Sequence, residues 1–370
     1  MIIPRAALAL AAMASLFACG ESAGRSALES ASNPNSAPQP AKAIRYDALD
    51  LSGLDGPNAV TDAAVLGDTG AVAGRICDDP PLCASMRWDL FLWDGTVQRF
   101  HVAEGVRASV AATAAGRIAG MLEKADGSQR AFVSAGSGLV ELPTLGGDSF
   151  VTAMNASGLA VGASISPSGE RHAVAWKDGN ITDLGARTGM AHSIAMAVDD
   201  GKVAVLACHQ AAWPTGCRAM ILTDSDLLDL GAIPDELSPT AMNATGNVVG
   251  FRHAAQTPHA AAWTAGQTTD LDGEISAVPW PALGARAGSQ MGSSLLAVGA
   301  SGDTVGEVDT PISEGAAATA ILWKDGMLFD LAAAVEPPMR LHSGIAINAK
   351  GQILARRGEQ GYAQVLLTPR

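Results

Sequence analysis

Ala153-Met154-Asn155-Ala156-Ser157-Gly158-Leu159-Ala160-Val161-Gly162 and Ala241-Met242-Asn243-Ala244-Thr245-Gly246-Asn247-Val248-Val249-Gly250 are two copies of one phrase. Each has a strand of small residues, a turn ending on Gly, then a second strand opening on Val-Gly or its like. Shorter or looser copies run from Thr61 to Gly74, Ala112 to Gly120, Ala195 to Val205, Gly302 to Gly306 and Ala346 to Leu354. The turn glycine recurs at Gly70, Gly116, Gly158, Gly201, Gly246, Gly302 and Gly351, with separations of 42 to 56 residues. A fixed period in this range marks a repeat architecture and suits one propeller blade. Four strands of about 5–6 residues joined by short turns fill that length.

The second half of each unit supplies strands three and four. Ala173-Val174-Ala175-Trp176-Lys177-Asp178-Gly179-Asn180-Ile181-Thr182-Asp183-Leu184 and Ala320-Ile321-Leu322-Trp323-Lys324-Asp325-Gly326-Met327-Leu328-Phe329-Asp330-Leu331 show it most clearly. Asp-Gly between apolar runs signals a two-residue hairpin, whose central residues need positive φ. The seventh unit ends after Tyr362–Leu367 without a fourth strand, and Tyr46–Leu51 matches the missing piece. The reading is an all-β, seven-bladed propeller of four-stranded blades over residues 45–370, its N-terminal strand completing the C-terminal blade. That closure removes two exposed sheet edges. A β-solenoid is the alternative, but its coils are shorter and do not call for Asp-Gly hairpins.

The phrase Ala-x-x-Ile-Asn-x-x-Gly-x-Val-Val-Gly, followed by Ala-Phe-x-Trp-x-x-Gly and Asp-Leu-Gly-x-Leu-Gly-Gly, resembles the bacterial HAF-type extracellular repeats. Leu142 to Gly162, Ala173 to Gly185 and Ala241 to Gly250 carry the resemblance. Copies four and six depart from it at Val198-Asp199-Asp200 and at Ser301. The resemblance implies the fold and export; it implies no enzymatic activity and no site.

Residues 1–18 read as an export signal, with Arg5 ahead of an apolar run from Ala7 to Phe17 that is short for a membrane span. Leu16-Phe17-Ala18-Cys19-Gly20 resembles a bacterial lipoprotein processing box, which implies cleavage before Cys19 and acylation of its sulfur. Gly20 in place of Asp implies the outer membrane, facing periplasm or cell surface. Residues 19–44 are the acylated Cys and a Ser/Ala/Pro-rich tether, expected to be disordered.

The remaining four cysteines flank two short segments at the same point of their repeats, between strands two and three. They are expected to form the local disulfides Cys77–Cys83 and Cys208–Cys217, which fit an oxidising compartment. A net charge of −13 with 24 Lys+Arg argues against nucleic acid, which needs a cationic footprint.

The chain lacks a P-loop, a dinucleotide glycine fingerprint, His-Glu-x-x-His and Gly-x-Ser-x-Gly. His101, His172, His192, His209, His253, His259 and His342 are scattered. Asp183, Asp229, Asp270, Asp330, Asp47 and Asp50 recur once per unit, which suits a strand-end hydrogen bond better than the clustered oxygens of a calcium site. Trp93, Trp176, Trp263 and Trp323 share one strand-three position and read as packing. Trp88, Trp213 and Trp280 fall in longer loops, and with Arg286 in the insertion Asp272–Gly292 they are the candidate partner contacts. No catalytic residue, cofactor or metal ligand emerges. The expectation is a monomeric, lipid-anchored binding or scaffold module for a protein or glycan of the cell envelope. A propeller-type polysaccharide lyase or glycoside hydrolase and a structural envelope protein are the alternatives.

Overall fold

The computed structural model describes residues 44–56, 59–78, 83, 88–210, 215–254, 257–271, 273, 275, 292–309, 318–358 and 363–370. The signal segment, Cys19 and the tether to residue 43 lie outside them. Within them, 28 strands, β1 to β28 in chain order, form seven four-stranded antiparallel sheets. The third blade is typical: β10 (Ser149–Met154), β11 (Ala160–Ile165), β12 (Arg171–Lys177) and β13 (Asn180–Asp183) pair in sequence order from the inner strand outward. The blades close into a seven-bladed propeller.

The first-to-second turn is built by the Asn of the repeat. Asn155 Oδ1 accepts from the amides of Ser157 and Leu159 at 3.1 and 3.0 Å, and Gly158 follows at φ +79°. Asn243 and Asn348 repeat this geometry, and each also reaches the next blade, donating to Gly299 O and Gly67 O at 2.9 Å. In blades six and one, Gly299 and Gly67 therefore stand where Asn would, as acceptors of their neighbour's side chain. The third-to-fourth hairpins behave as the sequence implies: Asp178-Gly179 and Asp325-Gly326 both carry positive φ at the two central positions, as a type I′ turn requires.

Every inner strand carries a bulge midway, for example between Val151 and Ala153, Pro239 and Ala241, and Leu295 and Ala297. The extra residue turns a side chain toward the neighbouring blade. Thr152 Oγ1 donates to Ala195 O at 2.6 Å, and Thr240 Oγ1 does the same to Leu295 O. The bulge also explains the Gly in Val-Gly: a Cβ at Gly162 would lie 2.0 Å from Phe150 O, and one at Gly120 would lie 1.9 Å from Ser109 O. These glycines answer to the inner strand of their own blade and not to a neighbouring blade.

Blades are held together by seven separate apolar clusters, one per junction. Between blades two and three Trp176 is 1 % exposed beside Ala119, Ala131 and Val151, and its Nε1 donates to Pro143 O at 2.8 Å. A buried Ser at the start of an inner strand reinforces three junctions: Ser149, Ser193 and Ser293 accept from the amides of Ala131, Ala173 and Ala260 of the preceding blade at 2.7–3.0 Å. Second strands such as β15 (Lys202–Cys208) touch a cluster on each face, which is why they read as continuous apolar runs.

The ring is closed by β1 (Tyr46–Asp50) lying antiparallel to β28 (Ala363–Pro369), with Tyr46 opposite Pro369 and Asp50 opposite Val365. Leu51 follows into the cluster between blades seven and one, fully buried with Ala63, Val72, Phe91, Leu354 and Leu366. Strand order within the blades fixes two unlike faces. First-to-second and third-to-fourth turns occupy one, the turn face. Second-to-third loops and interblade crossovers occupy the other, the loop face. Since β1 takes a fourth-strand place, the chain enters the propeller from the turn face.

Candidate functional site

The loop face holds the features that the regular repeat does not explain. Cys77, ending β3 (Val72–Cys77), is bonded to Cys83 with a Cα–Cα distance of 5.8 Å. Cys208 is bonded to Cys217, the first residue of β16 (Cys217–Leu222), across 4.1 Å. The second pair are direct register partners and fully buried, so that bridge closes the base of its loop within the sheet. Both disulfides read from the spacing are present. Replacing Cys208 and Cys217 together by Ala is expected to lower unfolding free energy by about 2–4 kcal/mol, read from urea melts. A loss below about 0.5 kcal/mol would show the bridge to be dispensable.

Of the four candidate contacts, Trp213, Trp280 and Arg286 lie outside the described residues, as does most of the insertion. Trp88 is described and half-buried. Its Nε1 donates to Cys83 O at 3.2 Å, and the Arg75 guanidinium lies 5.1 Å above its ring while also pairing with Asp62. A cation over an indole at this distance is a favourable stack. Nearby, Arg99 forks between Asp78 and Asp55 at 2.5 Å, tying the disulfide loop to the crossover from the closing strand. That hydrogen bond holds the exposed Asp78 carboxyl below its usual range.

A further group escaped the sequence reading. The residue after the Val-Gly position is apolar in four successive blades, as Met121, Ala163, Leu206 and Phe251. It is charged in the next three around the ring, as Glu307, Arg356 and Arg75. In blade six, β23 (Thr304–Asp309) presents Glu307 and Asp309 two residues apart. From blade seven come His342 on β26 (Leu341–Ile347) and Arg356 on β27 (Ile353–Arg357). His342 Nδ1 lies 3.8 Å from Glu307 Oε2. Burial first, then the Asp309 charge, pushes Glu307 above the ordinary carboxylate range against the pull of Arg356; burial does the same to Asp309. Burial pushes the His342 imidazole down, and Arg356 and Arg340 add to it against the pull of Asp309. Acids at alternate positions of a core strand were the available signal, and Glu307-Val308-Asp309 carries it.

This group sets a pH dependence. A carboxyl whose pKa is higher folded than unfolded favours folding in its protonated form. The stability from Glu307 and Asp309 is full below their unfolded values, near about pH 4, and is lost as pH rises through the folded values. His342 acts oppositely, losing stability as pH falls below about 6.5. Glu307→Gln should raise the melting temperature at neutral pH and leave it nearly unchanged near pH 4. An equal shift at both pH values would reject the assignment.

The other histidines do not converge. His172 Nδ1 sits 2.8 Å from Asp183, His101 Nδ1 3.1 Å from Asp89, His192 Nδ1 accepts from the Arg171 amide, and His259 Nε2 is 3.1 Å from Thr257. The side chain of His253 is outside the described set, and His209 is exposed on its loop. Most of the recurrent Asp residues bond to backbone at strand ends. Asp183, Asp229, Asp330 and Asp50 accept from the amides of Ala186, Gly231, Ala332 and Ser52 at 2.8–3.1 Å. Asp47 and Asp270 instead pair with Arg370 and Arg252. Among the described residues no group of three or more His, Cys, Asp or Glu could hold a metal. Among them, too, no helix is long and apolar enough to cross a membrane.

No family model matches the chain, and no curated protein does. Solved structures with a similar course exist. The β-propeller domain of the Trilobed protease from Pyrococcus furiosus aligns over 85 % of this chain and 97 % of that one, at 8 % identity and a TM-score of 0.49. The Pyrococcus horikoshii acylaminoacyl peptidase aligns over 84 % of this chain and 52 % of its own, at 11 % identity and 0.46. TolB from Acinetobacter baumannii aligns over 70 % and 68 %, at 9 % and 0.32. At these values the similarities carry no argument about ligand or activity.

Proposed function

We propose that this protein is an exported binding or scaffold module, held to the cell envelope by a lipid on Cys19, that engages a protein or glycan partner through its loop face. The observation that carries the reading is the inequality of the two faces. The turn face is built mainly from short, repeated hairpins, and the tether joins the propeller there. Among the described residues, the loop face carries both disulfides and the charged arc of Glu307, Arg356 and Arg75. Rigid scaffolds concentrate recognition on such loops. A tether rooted on the turn face leaves the loop face free to meet a partner. The two disulfides fit an oxidising compartment.

Recovery of partners from an envelope extract tests it. Trp213→Ala, Trp280→Ala and Arg75→Ala are expected to reduce recovery, and unchanged recovery with all three would reject the loop face. Globomycin-sensitive processing and palmitate incorporation, both lost in Cys19→Ala, test the anchor.

One observation favours the hydrolase reading: Glu307 and Asp309 stand on one face of β23, two residues and about 6.5–7 Å of backbone apart, and glycoside hydrolysis uses a pair of such acids. Against it, burial raises both groups, whereas hydrolysis needs one held ionised beside one protonated. Polysaccharide turnover by the protein that is abolished in Glu307→Gln would decide for the enzyme.

A further inference from the structure

On the turn face, between blades six and seven, lies a groove of about 450 Å³ that no part of the described chain fills. This is within the usual size of small-ligand sites. Its apolar lining is Phe329 and Ile347, half-buried, with the exposed Met327 and Pro369 at its edge. Four cations line it, Arg45, Lys324, Lys350 and Arg370, in a chain with 24 Lys+Arg against 37 Asp+Glu. Two of them are neutralised within the protein: Lys324 pairs with Asp303, and Arg370 with Asp47 and Glu336. Arg45 and Lys350 are exposed and, among the described residues, bond only to backbone oxygens, of Ile44 at 3.4 Å and Thr69 at 3.0 Å. Asp325 is the remaining acid, on the hairpin at the edge of the groove.

The second observation is Tyr46. It is 3 % exposed overall and lines the groove, and its hydroxyl bonds to no described residue and is open to the groove. Burial, with the Asp303 charge adding to it, pushes the phenol up to about 12, so it stays a donor at neutral pH. A phenol hydroxyl that opens on the groove with no protein partner is free to donate to a ligand there. The loop-face features take no part here.

We infer that this groove binds a small amphipathic anion, with a single carboxylate or phosphate set between Arg45 and Lys350, an apolar chain on the Met327–Phe329–Ile347 lining, and the Tyr46 hydroxyl as a hydrogen-bond donor. Charge-assisted contacts to two cations that make no ion pair among the described residues supply orientation, and the apolar lining supplies area. A phosphate-bearing lipid and a free fatty acid share this chemistry.

Calorimetric titration of the full-length Cys19→Ala chain with octanoate, octyl phosphate, octanol and octylammonium distinguishes the cases. Both anions are expected to bind one per chain, and octanol and octylammonium about tenfold or more weaker. The better of the two anions names the headgroup, and cosedimentation with anionic against neutral phospholipid vesicles shows whether a lipid in a bilayer reaches the site. Arg45→Gln with Lys350→Gln, both on the exposed rim, should weaken the anions about tenfold without shifting the melting temperature, and Tyr46→Phe should weaken them severalfold. Equal affinity for octanol and octanoate, binding unchanged in the double variant, or no saturable binding of either anion would overturn the proposal. So would vesicle binding without monomer binding, which would mark a charged surface and no pocket.

Discussion

A chain that begins at Ser52 should fold with a melting temperature about 10–20 °C lower than the intact protein, and should self-associate. Removing β1 strips the outer strand from blade seven and withdraws Tyr46 and Leu51, 3 % and 0 % exposed, from two interblade clusters. Burial of two such side chains is worth about 2–3 kcal/mol each, and the strand ladder adds more. The total, on the order of 5 kcal/mol, is comparable to the whole net stability of many domains. The loss also reopens β28 as an unpaired edge, a template for pairing with another chain. The ion pairs of the strand, Asp50 with Arg357 and Asp47 with Arg370, are exposed. Asp47→Asn with Asp50→Asn should therefore cost less than about 1 kcal/mol. Calorimetry and size-exclusion chromatography of the truncated chain check this. An unchanged midpoint with a monomeric elution would show that the propeller closes without its N-terminal strand.

Gly162→Ala should destabilise by about 3–5 kcal/mol, although it adds one methyl to a strand interior, where alanine is ordinarily the better residue. The methyl would sit 2.0 Å from Phe150 O, a backbone atom fixed by the bulge of its own blade. Relief requires the inner strand to move, and that strand also carries the Thr152 link to blade four. Gly120, Gly250, Gly306 and Gly74 face carbonyls at 1.9–2.1 Å and should behave alike. The fourth and seventh blades supply the control. Their corresponding residues are Val205 and Ala355, both fully buried, so Ala355→Gly should cost only about 1 kcal/mol. Urea melts of the two variants test the contrast. A Gly162→Ala protein within about 1 kcal/mol of the parent would mean that the bulges are soft.

Much of the molecule was legible because a repeat states its own rules several times. The Asn, the turn Gly and the Asp-Gly hairpins each recur for a local reason, and local hydrogen bonds to the backbone deliver the geometry wherever the chain goes. Cys208 and Cys217 were paired from spacing because a short connection leaves two strand ends within reach. Trp88 was singled out as an off-register aromatic. Its ring is occupied by Arg75, which sits on a neighbouring strand, and no spacing rule connects the two. Glu307, Asp309, His342 and Arg356 were each visible as departures from the repeat, but they come from three strands of two blades. Their meeting depends on how one sheet packs on the next.

The sequence alone determined the number of blades, their strand order, the closure by residues 46–51 and both disulfides, since each follows from periodicity or from partners close along the repeat. Tertiary structure decided which residues look into the junctions and which toward solvent. It decided that the chain enters β1 on the face opposite the two disulfides, and that Tyr46, Arg45 and Lys350 border one groove. The physical reason is distance along the chain. Tyr46 lies beside Val335 and Pro369 only because the ring has closed, and a pattern read within one repeat holds no information on what the far end of the polypeptide brings to it.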